Sequence, residues 1–213
     1  EIDGHDLAMA PEAAKRALGF IPDRPFLYEK LTAAEFLRFH AGLYGEDGSG
    51  VDTRALELLQ LFDLKGWKDE LVESFSHGMK QRLVVCAALI HEPRILIVDE
   101  PMVGMDPKGA RTLKDLFRSL AANGTTVFLS THSIGVAEEI CHRIGIIQKG
   151  RLIACGTMAE LHRQASVSNG NLESVFLELT RDGDNRDSCS SPESDEHEPR
   201  RILTREFRSE PPE

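Results

Sequence analysis

The run best suited to chemistry is Ile95-Leu96-Ile97-Val98-Asp99-Glu100-Pro101, in which four apolar residues lead into two adjacent carboxylates. A parallel strand delivers its C-terminal residues to the crevice where α/β proteins bind ligands. Successive side chains on an extended backbone point to opposite sides, so Asp99 and Glu100 are expected to face apart and serve different roles. One carboxylate would hold a divalent cation through water, and the other would polarise an attacking water. Taken alone, the run fits a strand that ends in a solvated acidic turn equally well.

Three further groups flank it. Phe75-Ser76-His77-Gly78-Met79-Lys80-Gln81-Arg82 opens a long helical pattern. Unpaired N–H groups and the helix dipole favour a phosphate oxyanion at such an N-terminus, and Gly78 permits close backbone approach. Ser76 also suits an ordinary helix cap, and the two roles coexist. Gly104-Met105-Asp106-Pro107 places a capping aspartate directly before a helix-starting proline. Ser130-Thr131-His132 sets a histidine at the end of a β-branched run, where it could donate a hydrogen bond to a phosphate or its attacking water, although a lone histidine there is more often structural or solvated.

The elements that must position these groups follow from periodicity. Ala17–Pro22 reads as a buried strand that leads into a loop. Thr32 and Glu35 form a capping box ahead of a helix that runs to Gly45, and a second helix is expected after Asp52. Ser76 caps a third, which ends before Pro93. Strands are then expected at 95–99, 125–130 and 144–148. Helices are expected from Asp106-Pro107, over 133–141, over 158–163 and through Leu172, Val175, Phe176 and Leu179. Strands alternating with helices imply a mostly parallel sheet covered on both faces. A Lys149-Gly150 turn implies a hairpin at its edge.

The 213 residues are 41% hydrophobic and 28% charged, the balance of a globular domain with extensions. A net charge of -10 argues against nucleic acid as a partner, because phosphate-backbone binders cluster Lys and Arg. Residues 182–213 hold ten acidic and five basic side chains, a net of -5, and predict a disordered tail. Cys86, Cys141, Cys155 and Cys189 show no metal-ligand spacing and read as reduced thiols. No run approaches the roughly 20 apolar residues that cross a bilayer, so the chain is expected to be cytoplasmic.

In this order and spacing the motifs closely resemble the ABC ATPase family. Residues 75–82 match its signature motif, 95–100 its Walker B strand with catalytic glutamate, 104–107 its D-loop and 130–132 its H-loop. Leu18-Gly19-Phe20-Ile21-Pro22 resembles the strand entering the Q-loop, and the likeness spans roughly residues 1–180. It implies an α/β, P-loop NTPase-like ABC ATPase fold, N-terminally truncated, with a mostly parallel sheet and an α-helical subdomain. The implied division is a partial ATPase domain over 1–164, with the subdomain at about 30–92, and a helical extension over 165–181. The resemblance further implies ATP and Mg²⁺ as ligands. It gives Glu100 and His132 catalytic roles, Ser76, Gly78, Asp99 and Asp106 contact with nucleotide, and Asp99 and Asp23 contact with the metal. Expected partners are transmembrane permease subunits and a second ATP-binding subunit, with the chain peripheral on the cytoplasmic face. Phe26, Leu27 and Tyr28 are candidate permease contacts, each also suited to packing within the domain.

Some positions depart from the family pattern. The usual Leu-Ser-Gly-Gly-Gln is Phe75-Ser76-His77-Gly78-Met79 here, a form similar to those of exporter-type subunits. Asp23 stands at the Q-loop glutamine position and adds negative charge near the phosphates. No G-x-x-x-x-G-K-[ST] run occurs. That absence, together with an opening at Glu1 in mid-pattern, predicts a fragment that binds ATP weakly by itself. Two readings compete with a transporter ATPase. A soluble ABC-superfamily ATPase acting on DNA or ribosomes would carry a coiled-coil insertion, zinc-binding cysteines or a second cassette. A non-catalytic regulatory module would have no need of Glu100 and His132.

Overall fold

Three short strands, β1 (Leu18–Ile21), β2 (Ile95–Asp99) and β3 (Thr126–Ser130), run parallel in the order β1-β2-β3. The register aligns Phe20, Ile97 and Phe128 in one row across the sheet and Ile21, Val98 and Leu129 in the next. The structure is a computed structural model that describes residues 1–24, 26–167 and 170–186, with side chains of the last helix described through Arg181. The expected tail beyond Arg186 lies outside the described residues.

A block of helices separates β1 from β2. Helix α1 (Pro11–Arg16) precedes β1 and was not foreseen, although Pro11 stands at its first turn, where a missing N–H costs nothing. Helix α2 (Ala33–Leu43) opens on the expected reciprocal capping box: the Thr32 hydroxyl accepts from the Glu35 N–H, and the Glu35 carboxylate accepts from the Thr32 N–H. Helix α3 (Ser49–Leu61) begins ahead of the expected start, because Gly48 at φ 84° turns the chain into the helix. Asp52 is therefore not the cap; it accepts from Arg38 of α2 at 2.5 Å. Two 3₁₀ turns (Lys65–Trp67 and Val72–Ser74) lead to α4 (His77–Leu89). Leu83 to Leu89 are all buried, so the second half of α4 is apolar on every side, as a central helix must be.

Gly19 fixes the approach of α4 to β1. A Cβ there would lie 2.5 Å from the Ala88 carbonyl oxygen and 2.9 Å from Pro93 Cγ, so only glycine lets the helix settle onto the strand. Helix α5 (Pro107–Ala122) connects β2 to β3 and contributes Leu113 and Phe117 to the same core.

Beyond β3 the chain builds a second, smaller unit of packing. Helix α6 (Ile134–Ile140) leads to β4 (Ile144–Gln148) and β5 (Arg151–Gly156), followed by α7 (Met158–Gln164) and α8 (Leu172–Arg186). The sequence places this hairpin at the edge of the parallel sheet. Instead, β4 and β5 pair antiparallel as a two-stranded sheet of their own. The reason is their own core: Ile144, Ile146 and Ala154 pack with Leu161 of α7 and Leu172 and Val175 of α8. Helix α8 also continues to Arg186, past the expected boundary at 181.

Candidate active site

Strand β2 ends at Asp99, and the chain then turns sharply. Glu100 has φ 44°, in the left-handed region that a residue with a side chain adopts at a cost of about 1–3 kcal/mol when the surroundings enforce it. This corrects the expectation that both carboxylates follow an extended pleat. Asp99 stays on the strand opposite Ser130, while the bend swings Glu100 toward the end of β3. The Glu100 N–H donates to the Ser130 carbonyl at 3.0 Å and anchors the turn.

There the Glu100 carboxylate accepts three hydrogen bonds. The His132 N–H donates to Oε1 at 2.6 Å, His132 Nδ1 lies 2.7 Å from the same oxygen, and the Thr131 hydroxyl donates to Oε2 at 3.0 Å. An ionised carboxylate is acceptor-only, so Nδ1 carries the proton in this pair. Burial works to raise the Glu100 pKa. The side-chain and backbone bonds from His132, with that from Thr131, outweigh it and hold the carboxyl below its ordinary value of 4.5. The His132 side chain is otherwise 81% exposed, which leaves Nε2 open to solvent.

Ser76 and Gly78 occupy the N-terminus of α4. Ser76 caps it, accepting from the Met79 N–H at 3.3 Å, and Arg82 holds the first turn by donating to the Gly78 carbonyl at 3.1 Å and to the Phe62 carbonyl at 3.1 Å. The loop after Glu100 packs against this turn: a Cβ at Gly104, whose φ is 76°, would fall 2.4 Å from His77 Cδ2. Asp106 caps α5, accepting from the Gly109 N–H at 2.7 Å, and that bond is the first cause of its lowered pKa. Asp23 lies two residues beyond β1, at the same end of the sheet as Asp99.

The structure therefore joins Glu100 directly to His132, and it sets His77 and Gly78, next to Ser76, against the loop that leads to Asp106. Among the described residues no hydrogen bond links these two groups, nor Asp23 to Asp99. No cluster of three or more His, Cys, Asp or Glu suited to a metal occurs among the described residues. Asp99 and Asp23 carry carboxylates, hard oxygen donors of the class from which Mg²⁺ typically takes one or two alongside water and phosphate oxygens. Thr131, Arg82 and Gly104 were not assigned from sequence. Thr131 had a signal, a hydroxyl next to a strand-end histidine; Arg82 and Gly104 act through non-local contacts.

Comparison with known proteins identifies the family. The family model described as ABC transporter matches residues 1–103. The chain is 33% identical to the ABC-type transporter ATP-binding protein EcsA of Bacillus subtilis (strain 168), over 85% of this chain and 74% of that protein. It is 38% identical to a fluoroquinolones export ATP-binding protein of Mycobacterium tuberculosis (strain CDC 1551 / Oshkosh), over 68% of this chain but 46% of that protein, so it spans less than half of that relative. A solved structure of the ATP binding subunit of an ABC transporter superposes with TM-score 0.80 at 36% identity, covering 84% of this chain and 75% of the other. On these motifs, this fold and these relatives, the chain belongs to the ABC transporter ATP-binding family.

Proposed function

We propose that this chain supplies the hydrolytic and coupling part of the ATP-binding subunit of an ABC exporter. The observation that carries the reading is the Glu100 carboxylate, held at the end of β2 by Thr131 and His132 from the end of β3. A carboxylate offers about four lone-pair sites, and three are used here, so one site on Oε2 remains to orient a water. Because the pKa is lowered, Glu100 is ionised and ready to accept a hydrogen bond at neutral pH. Phosphoryl transfer proceeds through a loose transition state, so aiming the water matters more than basicity. The exposed edge of His132 faces outward, where it can meet a phosphate oxygen.

The domain limits proposed are 1–164 for the ATPase part, with the helical subdomain at about 30–92, and 165–181 for the extension. Asp99, with Asp23, would hold Mg²⁺, which when bound neutralises charge on the phosphates. Ser76 and Gly78, at the positive end of α4, would face the nucleotide of a second ATP-binding subunit, and Asp106 would stand beside that boundary. Export is the favoured direction, on the Ser-His-Gly-Met form of the signature and the named export relative. No helix among the described residues is long and apolar enough to cross a membrane. The permease would instead dock on the exposed aromatics Phe26 (78% exposed) and Tyr28 (47%), the residue class that dominates interface energetics.

The test is Glu100→Gln in a form of the chain extended by a phosphate-binding loop. ATP turnover should fall by about 10²–10⁴-fold while nucleotide affinity is retained, because the shape survives and the charge does not. Unchanged turnover would remove Glu100 from the assignment.

A further inference from the structure

The loop that carries the exposed aromatics is not free. Phe26, Tyr28 and Phe39 of α2 form an edge-to-face chain, with ring centroids 5.9 and 5.0 Å apart. Glu29 follows Tyr28 directly, and its carboxylate accepts from Lys80 Nζ at 2.5 Å, across 51 residues of sequence. Lys80 lies in the first turn of α4, where its N–H donates to the Ser76 carbonyl at 2.9 Å. The Lys80 side chain is only 21% exposed, so its ammonium group is delivered in one direction. The rest of the loop is pinned to the 3₁₀ turn ahead of Ser76: the Glu73 N–H donates to the Glu29 carbonyl at 3.1 Å, the Val72 N–H to the Leu31 carbonyl at 2.9 Å, and Lys30 to Glu73 at 2.5 Å.

We infer that Lys80 is a positioning residue: through Glu29 it ties the exposed aromatic surface to the first turn of α4, so that a displacement of Phe26 and Tyr28 moves Ser76 and Gly78. The backbone bonds reach only as far as Val72 and Glu73, before the cap. The Lys80–Glu29 pair crosses the cap and grips the helix itself. A push on the aromatic ring chain is thus carried by an ion pair into the helix that presents Ser76, rather than being absorbed in the linker between them. Glu29 is held below its ordinary carboxylate value, first by the hydrogen bond from Lys80. The inference rests on the functional reading above only for its purpose; the mechanical link stands on the contacts.

Amide hydrogen exchange on the 213-residue chain tests it, read at segments 26–31 and 79–82. Lys80→Met and Glu29→Gln should each speed exchange in both segments by about two- to five-fold, the range of a surface ion pair acting on local opening. Lys80→Arg should keep the wild-type rates, and Glu29→Gln added to Lys80→Met should bring little further change. Tyr28→Ala should speed exchange at 79–82 in the wild type but not in the Lys80→Met background. Changes confined to the substituted segment, or singles that simply add in the double variant, overturn the inference. None of these readouts uses ATP, so a failure of Glu100→Gln to slow turnover would count against the hydrolytic assignment alone.

Discussion

On one face of the β1–β3 sheet, Ile21, Leu96 and Val98 are fully buried against α4 and α5. On the other, Phe20 is 55% exposed and Phe128 64%, with Ile97 between them in the same row. Both faces are built from the same class of side chain, as is usual for parallel strands, which read as continuous apolar runs because such sheets are covered twice. Composition therefore does not distinguish a face that holds the fold together from one that receives a further layer. The helices packed against it do. Alternation also puts Asp99 on the open side with Ile97, whereas Glu100 leaves the alternation through its left-handed turn. The adjacent carboxylates are thus separated by a bend rather than by the pleat.

The sharpest way to break this contrast is on the covered face. Leu96→Ala should lower stability by about 2–5 kcal/mol, read as a shift in the urea midpoint, since the side chain is fully buried and its loss leaves a hole in the core. Gly19→Ala should cost about 1–3 kcal/mol, because its methyl group would meet the Ala88 carbonyl, which moves only with α4. A proton probes the same side more gently. His91, just after α4, donates from Nε2 to the Leu18 carbonyl at 2.9 Å and stacks on Tyr44 at 3.5 Å, leaving Nδ1 buried without a partner. Burial lowers the pKa of both His91 and neighbouring His40; at His91 the bond to the Leu18 carbonyl, and after it the Glu46 charge, oppose this without reversing it. The unfolded chain then takes up protons that the folded chain refuses. Stability is full above the ordinary histidine value of 6.5 and declines as pH falls below it, a slope that His40→Gln with His91→Gln should flatten. The smallest effect belongs to the open face. Phe128→Thr should change stability by no more than about 0.5 kcal/mol while reducing binding of a hydrophobic dye; a loss like that of Leu96→Ala would mean the face is covered in solution.

Much of this was legible because it is local. The caps at Thr32, Ser76 and Asp106 each lie within three residues of the group they satisfy, and the apolar runs 95–99 and 144–148 set the limits of β2 and β4 without outside help. Position in sequence also singled out Glu100 and His132 as candidates, but not their contact, since that depends on a bend after β2 meeting the end of β3. The start of α3 was hidden because Asp52 looks like a cap while its carboxylate is used by Arg38, fourteen residues away. The separate hairpin sheet was hidden for a similar reason: α7 and α8, not the strands themselves, decide where β4 and β5 settle.

The chain contains a single tryptophan, Trp67. Its ring meets Phe75 edge-on at 6.0 Å, and Phe75 is the residue before the cap of α4. Trp67 is 43% exposed, so its indole sits between the protein and water and its emission senses which of the two it faces. The molecule thus carries its one indole beside the turn that holds Ser76 and Gly78. With excitation at the red edge, where tyrosine does not absorb, a rearrangement of that turn can be followed in real time by light from the unlabelled protein.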